Sequence, residues 1–157
     1  MEALNKAWTE NTDWQNIVDK AAGCVFLGVP HRGADLAYWA GNAALIMNVL
    51  TGRGNKRLVR AISRSSNEWK KVGSDFRFRA TNIFIASFFE TEQTGGKLIV
   101  DQDSANLGLS GEKIRGLPRT NHRNICKFGD SREESDRFLV LGNYVTWIAE
   151  SALGRGQ

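Results

Sequence analysis

Two predominantly apolar runs stand out in the pattern of hydrophobic and polar positions along the 157-residue chain. They cover residues 23–29 and 82–89, and each is followed by a proline or a charged residue. Apolar runs without alternation are typical of strands buried on both faces of a parallel sheet, whereas half-exposed strands alternate. A shorter run at residues 97–100 predicts a third strand.

Between these runs, apolar residues recur at the spacing of one helix face. The pattern predicts helices at residues 2–8, 14–20, 36–50, 56–72 and 133–152. Strands that alternate with helices of this length predict an α/β fold, with a few-stranded parallel sheet flanked by helices. We find no internal repeat and no linker, so we expect a single domain over residues 1–157.

Composition narrows the class of protein further. The longest strictly apolar runs, residues 43–47 and 83–86, are far shorter than the ~18 residues of a membrane span, so we expect no transmembrane segment. The first residues lack the basic and apolar pattern of a secretory signal. Two cysteines are too few for a disulfide framework and are not spaced for a metal site. These features predict an intracellular, cytoplasmic protein.

The positive charge of the chain is concentrated in one segment. Residues 53–79 carry nine basic and two acidic side chains, a net charge of +7, against +4 for the whole chain. We interpret this segment as a basic helical insert with a solvated face, and contact with anionic lipid headgroups is the alternative. No nucleic-acid motif accompanies the charge, so we do not expect nucleic acid as a partner.

Polar residues that follow the predicted strands are the candidates for chemistry, since ligands gather at the carboxyl ends of parallel strands. The candidates are His31, Arg32, Glu90, Asp101, Asp103 and His122. An acid followed later by a histidine is the second half of the Ser, Asp/Glu, His order of α/β-hydrolases. The first half is missing, because the chain contains no Gly-x-Ser-x-Gly. Ser110 lies in the segment that comes nearest and is a poor nucleophile.

Four segments, in the same order, resemble motifs of the lipase-like serine esterases. They are Gly-Val-Pro-His-Arg-Gly-Ala-Asp at 28–35, Ser-Phe-Phe-Glu-Thr at 87–91, Val-Asp-Gln-Asp-Ser-Ala-Asn-Leu-Gly at 100–108 and Asn-His-Arg-Asn-Ile-Cys-Lys at 121–127. This family includes GPI inositol-deacylase-like proteins, the serine active site-containing proteins and the hydrolase-like amino-terminal domains of fungal NOD-like receptors. The chain resembles the fungal version most.

The resemblance implies roles for the candidate residues. His122 would be the triad base and Glu90 its acid, with Asp103 and then Asp101 as alternative acids. His31 and Arg32 would form part of the pocket wall. In the absence of the resemblance, each of these residues has a plainer interpretation as a turn, cap or core residue.

The family's nucleophile sits in a Gly-His-Ser-Leu-Gly-Gly elbow, which this chain does not contain. We therefore expect the carboxy-terminal half of an α/β-hydrolase domain, incomplete over residues 1–157. The whole domain would cleave an ester of a lipid or acyl compound without a cofactor or metal, and this chain alone would be inactive.

Two alternatives remain open. The chain could be a non-catalytic, hydrolase-like module for recognition or signalling, or a truncated gene product with no activity of its own. An incomplete sheet would expose an edge strand, which predicts a protein partner or self-association.

Overall fold

The structure is a computed structural model that describes residues 1–9, 20–31 and 66–154. In chain order the elements are α1 (Glu2–Thr9), β1 (Gly23–Leu27), α2 (Ser66–Arg79), β2 (Phe84–Glu90), α3 (Gln102–Ala105), β3 (Lys113–Leu117) and α4 (Arg132–Gly154). A short 3₁₀ turn, Ala80–Asn82, joins α2 to β2. Helices and strands alternate, which confirms the predicted α/β class.

The three strands form one parallel sheet in the order β1-β2-β3, with β2 at its centre. Leu27 of β1 lies opposite Phe88 of β2, and Glu90 of β2 lies opposite Leu117 of β3. Because the strands are parallel, their carboxyl ends meet at one edge of the sheet. The loops after all three strands therefore converge there.

The first face of the sheet packs against α4. Ala86 and Phe88 of the central strand join Leu117 and Ile148 in a buried cluster. The ring of Phe88 meets the ring of Tyr144 edge to face, with centroids 5.0 Å apart. This face ties the central strand to the last helix.

The opposite face packs against α1 and α2. Ile85 joins Phe76 and Ala80 in a second buried cluster, with Leu4 of α1 and Phe26 of β1 packed against it. Successive side chains of a strand point to opposite faces, so β1 and β2 supply both cores at once. This explains why their sequences are apolar without alternation.

The predicted strand at residues 97–100 is wrong. In the structure the backbone N–H groups of Ile99 and Val100 donate to the carboxylate of Glu90. A side chain, rather than a neighbouring strand, therefore satisfies these donors. Only Val100 of this run is fully buried, and Leu98 is exposed, so the apolar run does not mark a buried strand.

The third strand lies in a stretch that the sequence pattern assigns to a loop. In β3 the exposed Lys113 and Arg115 alternate with half-buried residues, and only Leu117 is fully buried. Charged side chains at such positions are typical of an edge strand, where they discourage pairing with another chain. Because charged residues interrupt the apolar ones, this strand contains no apolar run from which it could be predicted.

Helix bounds differ from the predicted ones mainly in α2. This helix continues to Arg79, whereas the apolar pattern predicts an end at residue 72. The first and last helices are confirmed within two residues at each end. Three predicted features lie wholly or partly outside the described residues. They are the helix at 14–20 except its last residue, the whole helix at 36–50, and residues 53–65, which hold the first half of the basic segment and the start of the helix at 56–72.

Within residues 1–9, 20–31 and 66–154, every helix is too short or too polar to cross a membrane.

Candidate active site

A fully buried carboxylate closes the central strand. Glu90 is the last residue of β2, and none of its surface is exposed. Its Oε2 accepts the backbone N–H of Ile99 at 3.0 Å, and its Oε1 accepts that of Val100 at 3.1 Å. A buried carboxylate needs such donors, because removing a charge from water without compensation is costly. The following segment thus holds Glu90 in a fixed orientation.

The third partner of this carboxylate is a histidine. His122 lies in the loop after β3, and its Nδ1 is 2.7 Å from Oε1 of Glu90. Carboxylate oxygens accept, so Nδ1 is the donor, and in the neutral ring Nε2 is the nitrogen without a proton. The His122 side chain is 20% exposed, against 0% for Glu90. The arrangement is a buried acid behind a partly exposed imidazole.

The loop that carries His122 is a tight, self-bonded turn. Asn121 donates its backbone N–H to Oδ1 of Asn124 at 2.7 Å, and its own carbonyl accepts the N–H groups of Asn124 and Ile125. Ile125 is buried in the core cluster against α4. The turn therefore anchors His122 to the core on one side and to Glu90 on the other.

Gly28 allows β1 to end close to this histidine. Its φ is +59°, a conformation that favours glycine. A Cβ atom there would lie 3.2 Å from Cγ2 of Ile125 and 3.7 Å from Nδ1 of His122. Gly28 also donates its N–H to the carbonyl of Phe88 at 2.9 Å. The segment after β1 is thereby held beside the Glu90–His122 pair.

The two alternative acids have other surroundings. Asp101 caps the short helix α3, where its Oδ1 accepts the N–H of Ser104 at 2.9 Å. The backbone N–H and the hydroxyl of Ser104 hold the pKa of Asp101 below its ordinary value. Asp103 is an exposed residue within the same helix. Of the three candidate acids, Glu90 is the one in contact with His122.

His31 lies at the same edge of the sheet in a very different environment. It is 9% exposed, its ring meets the ring of Phe26 edge to face, and its Nε2 has no hydrogen-bond partner among the described residues. Burial, with a smaller contribution from the Arg77 charge, lowers the pKa of His31 to about 4. Its backbone N–H donates to the carbonyl of Ser104. Arg32, the other predicted wall residue, lies outside the described part of the chain.

Ser110 lies at the opposite end of the sheet. It lines a cavity of about 220 Å³ together with Ile83, Phe84 and Lys113, which stand at the starts of β2 and β3. Seven residues of β2 separate the two ends, roughly 20 Å at the rise of an extended strand. Ser110 therefore lies too far from His122 to exchange a proton with it.

Several residues of this edge were not found from the sequence. Thr94 accepts the backbone N–H of His122 at 3.0 Å, and the N–H groups of Ile99 and Val100 hold Glu90. Backbone donors leave no mark in a sequence. The one available signal for Thr94 was the Gly-Gly pair that follows it, which is typical of a two-residue hairpin turn.

A further missed residue, Glu112, organises the far end of the sheet. Its Oε1 accepts the hydroxyl of Ser87 at 2.6 Å and the N–H of Leu107, and its Oε2 accepts the N–H of Gly108. Of these partners, Ser87 is the one with a side chain that could act as a nucleophile, and the others are backbone N–H groups. Since Ser87 is buried within β2, Glu112 serves to close the loop before β3 onto the sheet.

Within the described ranges, no three His, Cys, Asp or Glu side chains are grouped as metal ligands would be. The chemistry that the arrangement offers is proton transfer. An imidazole whose Nδ1 is fixed by a buried carboxylate can accept and return a proton at Nε2.

The chain is similar to a known protein over most of its length. Protein SERAC1 of Bos taurus is 30% identical to the chain over 138 residues, which is 83% of this chain and 19% of SERAC1. The chain thus spans about a fifth of the length of that protein. No family model matches the chain, and no solved structure matches it.

Proposed function

We propose that this chain is the carboxy-terminal, acid-and-histidine part of a lipase- or esterase-like serine hydrolase domain. His122 acts as general base and then as general acid, and Glu90 orients it through Nδ1. The nucleophilic serine comes from residues that are not in this chain, since the 157 residues contain no Gly-x-Ser-x-Gly. The chain by itself then has no ester hydrolase activity.

The observation that carries this proposal is the 2.7 Å contact between Nδ1 of His122 and the buried Oε1 of Glu90. In a serine hydrolase the acid holds the imidazole in one tautomer and stabilises the imidazolium that forms during acyl transfer. A fully buried Glu90 behind a partly exposed His122 suits these two roles. The chain order of strand, acid, strand and histidine is also that of α/β-hydrolases.

Two further points support the hydrolase class. The described residues of the four segments that resemble the lipase-like serine esterases lie close together, since Gly28 bonds to Phe88, His31 to Ser104 and His122 to Glu90. The match to Protein SERAC1 covers 83% of the chain, so it must include the segments of Glu90 and His122. The substrate class, an ester of a lipid or acyl compound, rests on the resemblance alone.

The first test uses the chain as it stands. With a panel of p-nitrophenyl esters we expect no turnover above that of a His122→Ala control. Turnover by the chain that disappears in His122→Ala would contradict the proposed need for an outside nucleophile.

The second test uses the protein expressed together with the coding sequence upstream in its gene. We expect a Gly-x-Ser-x-Gly serine there that reacts with a fluorophosphonate probe. His122→Ala and Glu90→Gln should each slow that reaction by about 10⁴-fold, as loss of a triad member does elsewhere. Labelling that is unaffected by either substitution, or an upstream sequence without such a serine, would favour the non-catalytic module instead.

A further inference from the structure

We propose that residues 91–100, here called the 91–100 clamp, orient both members of the Glu90–His122 pair, with Thr94 as the positioning residue for His122. This inference rests on the proposed function, and it adds a positioning residue to that site. Thr94 is no part of the acid, base and nucleophile set. It acts through the backbone of His122.

The far end of the clamp holds the acid. Ile99 and Val100 donate their backbone N–H groups to the two oxygens of Glu90, at 3.0 and 3.1 Å. The N–H of Glu90 in turn donates to the carbonyl of Val100 at 3.1 Å. This reciprocal pairing fixes the carboxylate relative to the clamp from both sides.

The near end of the clamp holds the histidine. The hydroxyl oxygen of Thr94 accepts the backbone N–H of His122 at 3.0 Å. Thr94 is only 5% exposed, so this N–H would lose its partner without gaining one from water if the hydroxyl were removed. A second set of bonds, from the N–H groups of Thr91 and Glu92 to the carbonyl of Thr120, ties the clamp to the same loop.

A tight turn keeps the two ends of the clamp in register. Thr94 donates its N–H to the carbonyl of Lys97 at 2.7 Å across a two-residue turn. The turn residues Gly95 and Gly96 have φ values of +60° and +82°, the left-handed conformation that such hairpins require. The clamp is therefore a built element, with a defined geometry between Thr94 and the donors of Ile99 and Val100.

This geometry matters because proton transfer depends on where the imidazole sits. A misplacement of about 1 Å in a catalytic group can cost on the order of 100-fold in rate. Glu90 fixes the ring at Nδ1, and Thr94 fixes the backbone from which the ring projects. With both points held by one segment, the backbone of His122 keeps a fixed position relative to the carboxylate of Glu90.

The test compares three variants by NMR of the 157-residue chain labelled with ¹⁵N-histidine. Thr94→Val removes the acceptor while keeping the shape, and Thr94→Ser restores it. Thr120→Val is the matched control, because Thr120 is also buried and its hydroxyl donates to the carbonyl of Leu117 rather than to His122. The readout is the exchange rate of the His122 Nδ1 proton with water, assigned with His122→Gln.

We expect exchange to be about tenfold faster in Thr94→Val, as the loss of one buried hydrogen bond would produce, and unchanged in Thr94→Ser and Thr120→Val. In the upstream-extended protein, Thr94→Val should lower kcat and leave KM unchanged. An Nδ1 proton that exchanges at the wild-type rate in Thr94→Val would overturn the role of Thr94 and leave the pair intact.

A different result would overturn the proposed function itself. If the wild-type chain has no Nδ1 proton signal that depends on Glu90, shown by comparison with Glu90→Gln, then the pair does not exist in solution. The clamp proposal falls with it in that case.

Discussion

Two histidines stand at the same edge of the sheet, and their neighbours make them chemically different. His122 meets a carboxylate at 2.7 Å, and its side chain is 20% exposed. His31 is 9% exposed beside the ring of Phe26, with the charges of Arg77 and the Met1 amino group as its electrostatic neighbours. One ring is in contact with a carboxylate, and burial lowers the pKa of the other to about 4.

Position in the fold therefore does not determine the environment of a histidine by itself. Both histidines follow a strand of the parallel sheet, where reacting groups of such folds gather. What separates them is the acid. Glu90 ends the central strand between them, and its carboxylate faces the loop of His122.

The largest effect should come from removing that acid. Glu90→Ala leaves the donors of Ile99, Val100 and His122 without their buried acceptor, so we expect a loss of about 3–5 kcal/mol in the free energy of unfolding. Urea unfolding measures it. The matched control is Glu92→Ala, an exposed turn residue, which should change stability by less than about 0.5 kcal/mol.

If Glu90→Ala does not fold, Glu90→Gln provides the same comparison, because its amide keeps one acceptor oxygen and should cost less. Equal stabilities of Glu90→Gln, Glu92→Ala and the wild type would show that the buried carboxylate of Glu90 does not stabilise the fold.

The next effect is the pH dependence that His31 imposes. Its folded pKa of about 4 lies below the ordinary value of 6.5, so between these values the unfolded chain binds more protons than the folded one. The contribution of uncharged His31 to the free energy of unfolding is therefore complete above pH 6.5, and it is lost as the pH falls towards 4. The total is roughly 3 kcal/mol.

His31→Leu removes this titration by placing an apolar side chain at the buried position. The free energy of unfolding of His31→Leu should therefore fall less than that of the wild type between pH 6.5 and pH 4. If the free energies of unfolding of the two proteins fall equally with pH, the fold does not lower the pKa of His31. The two histidines would then not differ in this respect.

A smaller effect should follow from crowding Ile125, which lies in the His122 loop. Gly28→Ala places a methyl group 3.2 Å from Cγ2 of Ile125 in a backbone with φ of +59°, so we expect a loss of about 1–2 kcal/mol. Thermal unfolding measures it. Gly142→Ala is the control of opposite sign, because this helical glycine has nothing within 4 Å and alanine should stabilise α4 by up to about 1 kcal/mol.

Gly28→Ala should also affect the two histidines differently. The chemical shifts of His122 should move and those of His31 should stay. A variant as stable as the wild type would contradict the close approach of β1 to the His122 loop.

The smallest effect should come from Arg77. Arg77→Met removes a positive charge that disfavours protonation of His31, so the pKa of His31 should rise from about 4 part of the way towards 6.5. The rise should be the minor part, since burial is the larger cause. NMR titration of His31 measures it, and a pKa that falls or does not move would show that the Arg77 charge does not act on His31.

Much of the fold could be predicted because its central strands are apolar on both faces. The β1 and β2 runs and the last helix follow directly from hydrophobic spacing. The third strand could not be found this way, since Lys113 and Arg115 give it one charged face at the sheet edge. The run at residues 97–100 misled for the opposite reason, because its buried N–H groups serve a side chain.

The candidate site could be predicted only in part. Glu90 and His122 were selected as residues that follow strands and match the family motifs, and their contact is a feature of the structure, while their use in catalysis stays a prediction. Thr94 could not be selected, because its importance lies in a backbone N–H that it accepts from a residue far away in the chain. Contacts between residues far apart in the chain follow no periodic pattern, so they cannot be predicted from the spacing of residues.

The contrast between the two histidines can be measured by the ¹⁵N chemical shifts of both rings, recorded in the 157-residue chain across the pH range. We expect neutral His122 to carry its proton on Nδ1, with shifts that change in Glu90→Gln, and His31 to stay uncharged until the pH approaches 4. A neutral His122 with its proton on Nε2, insensitive to Glu90→Gln, would contradict this expectation.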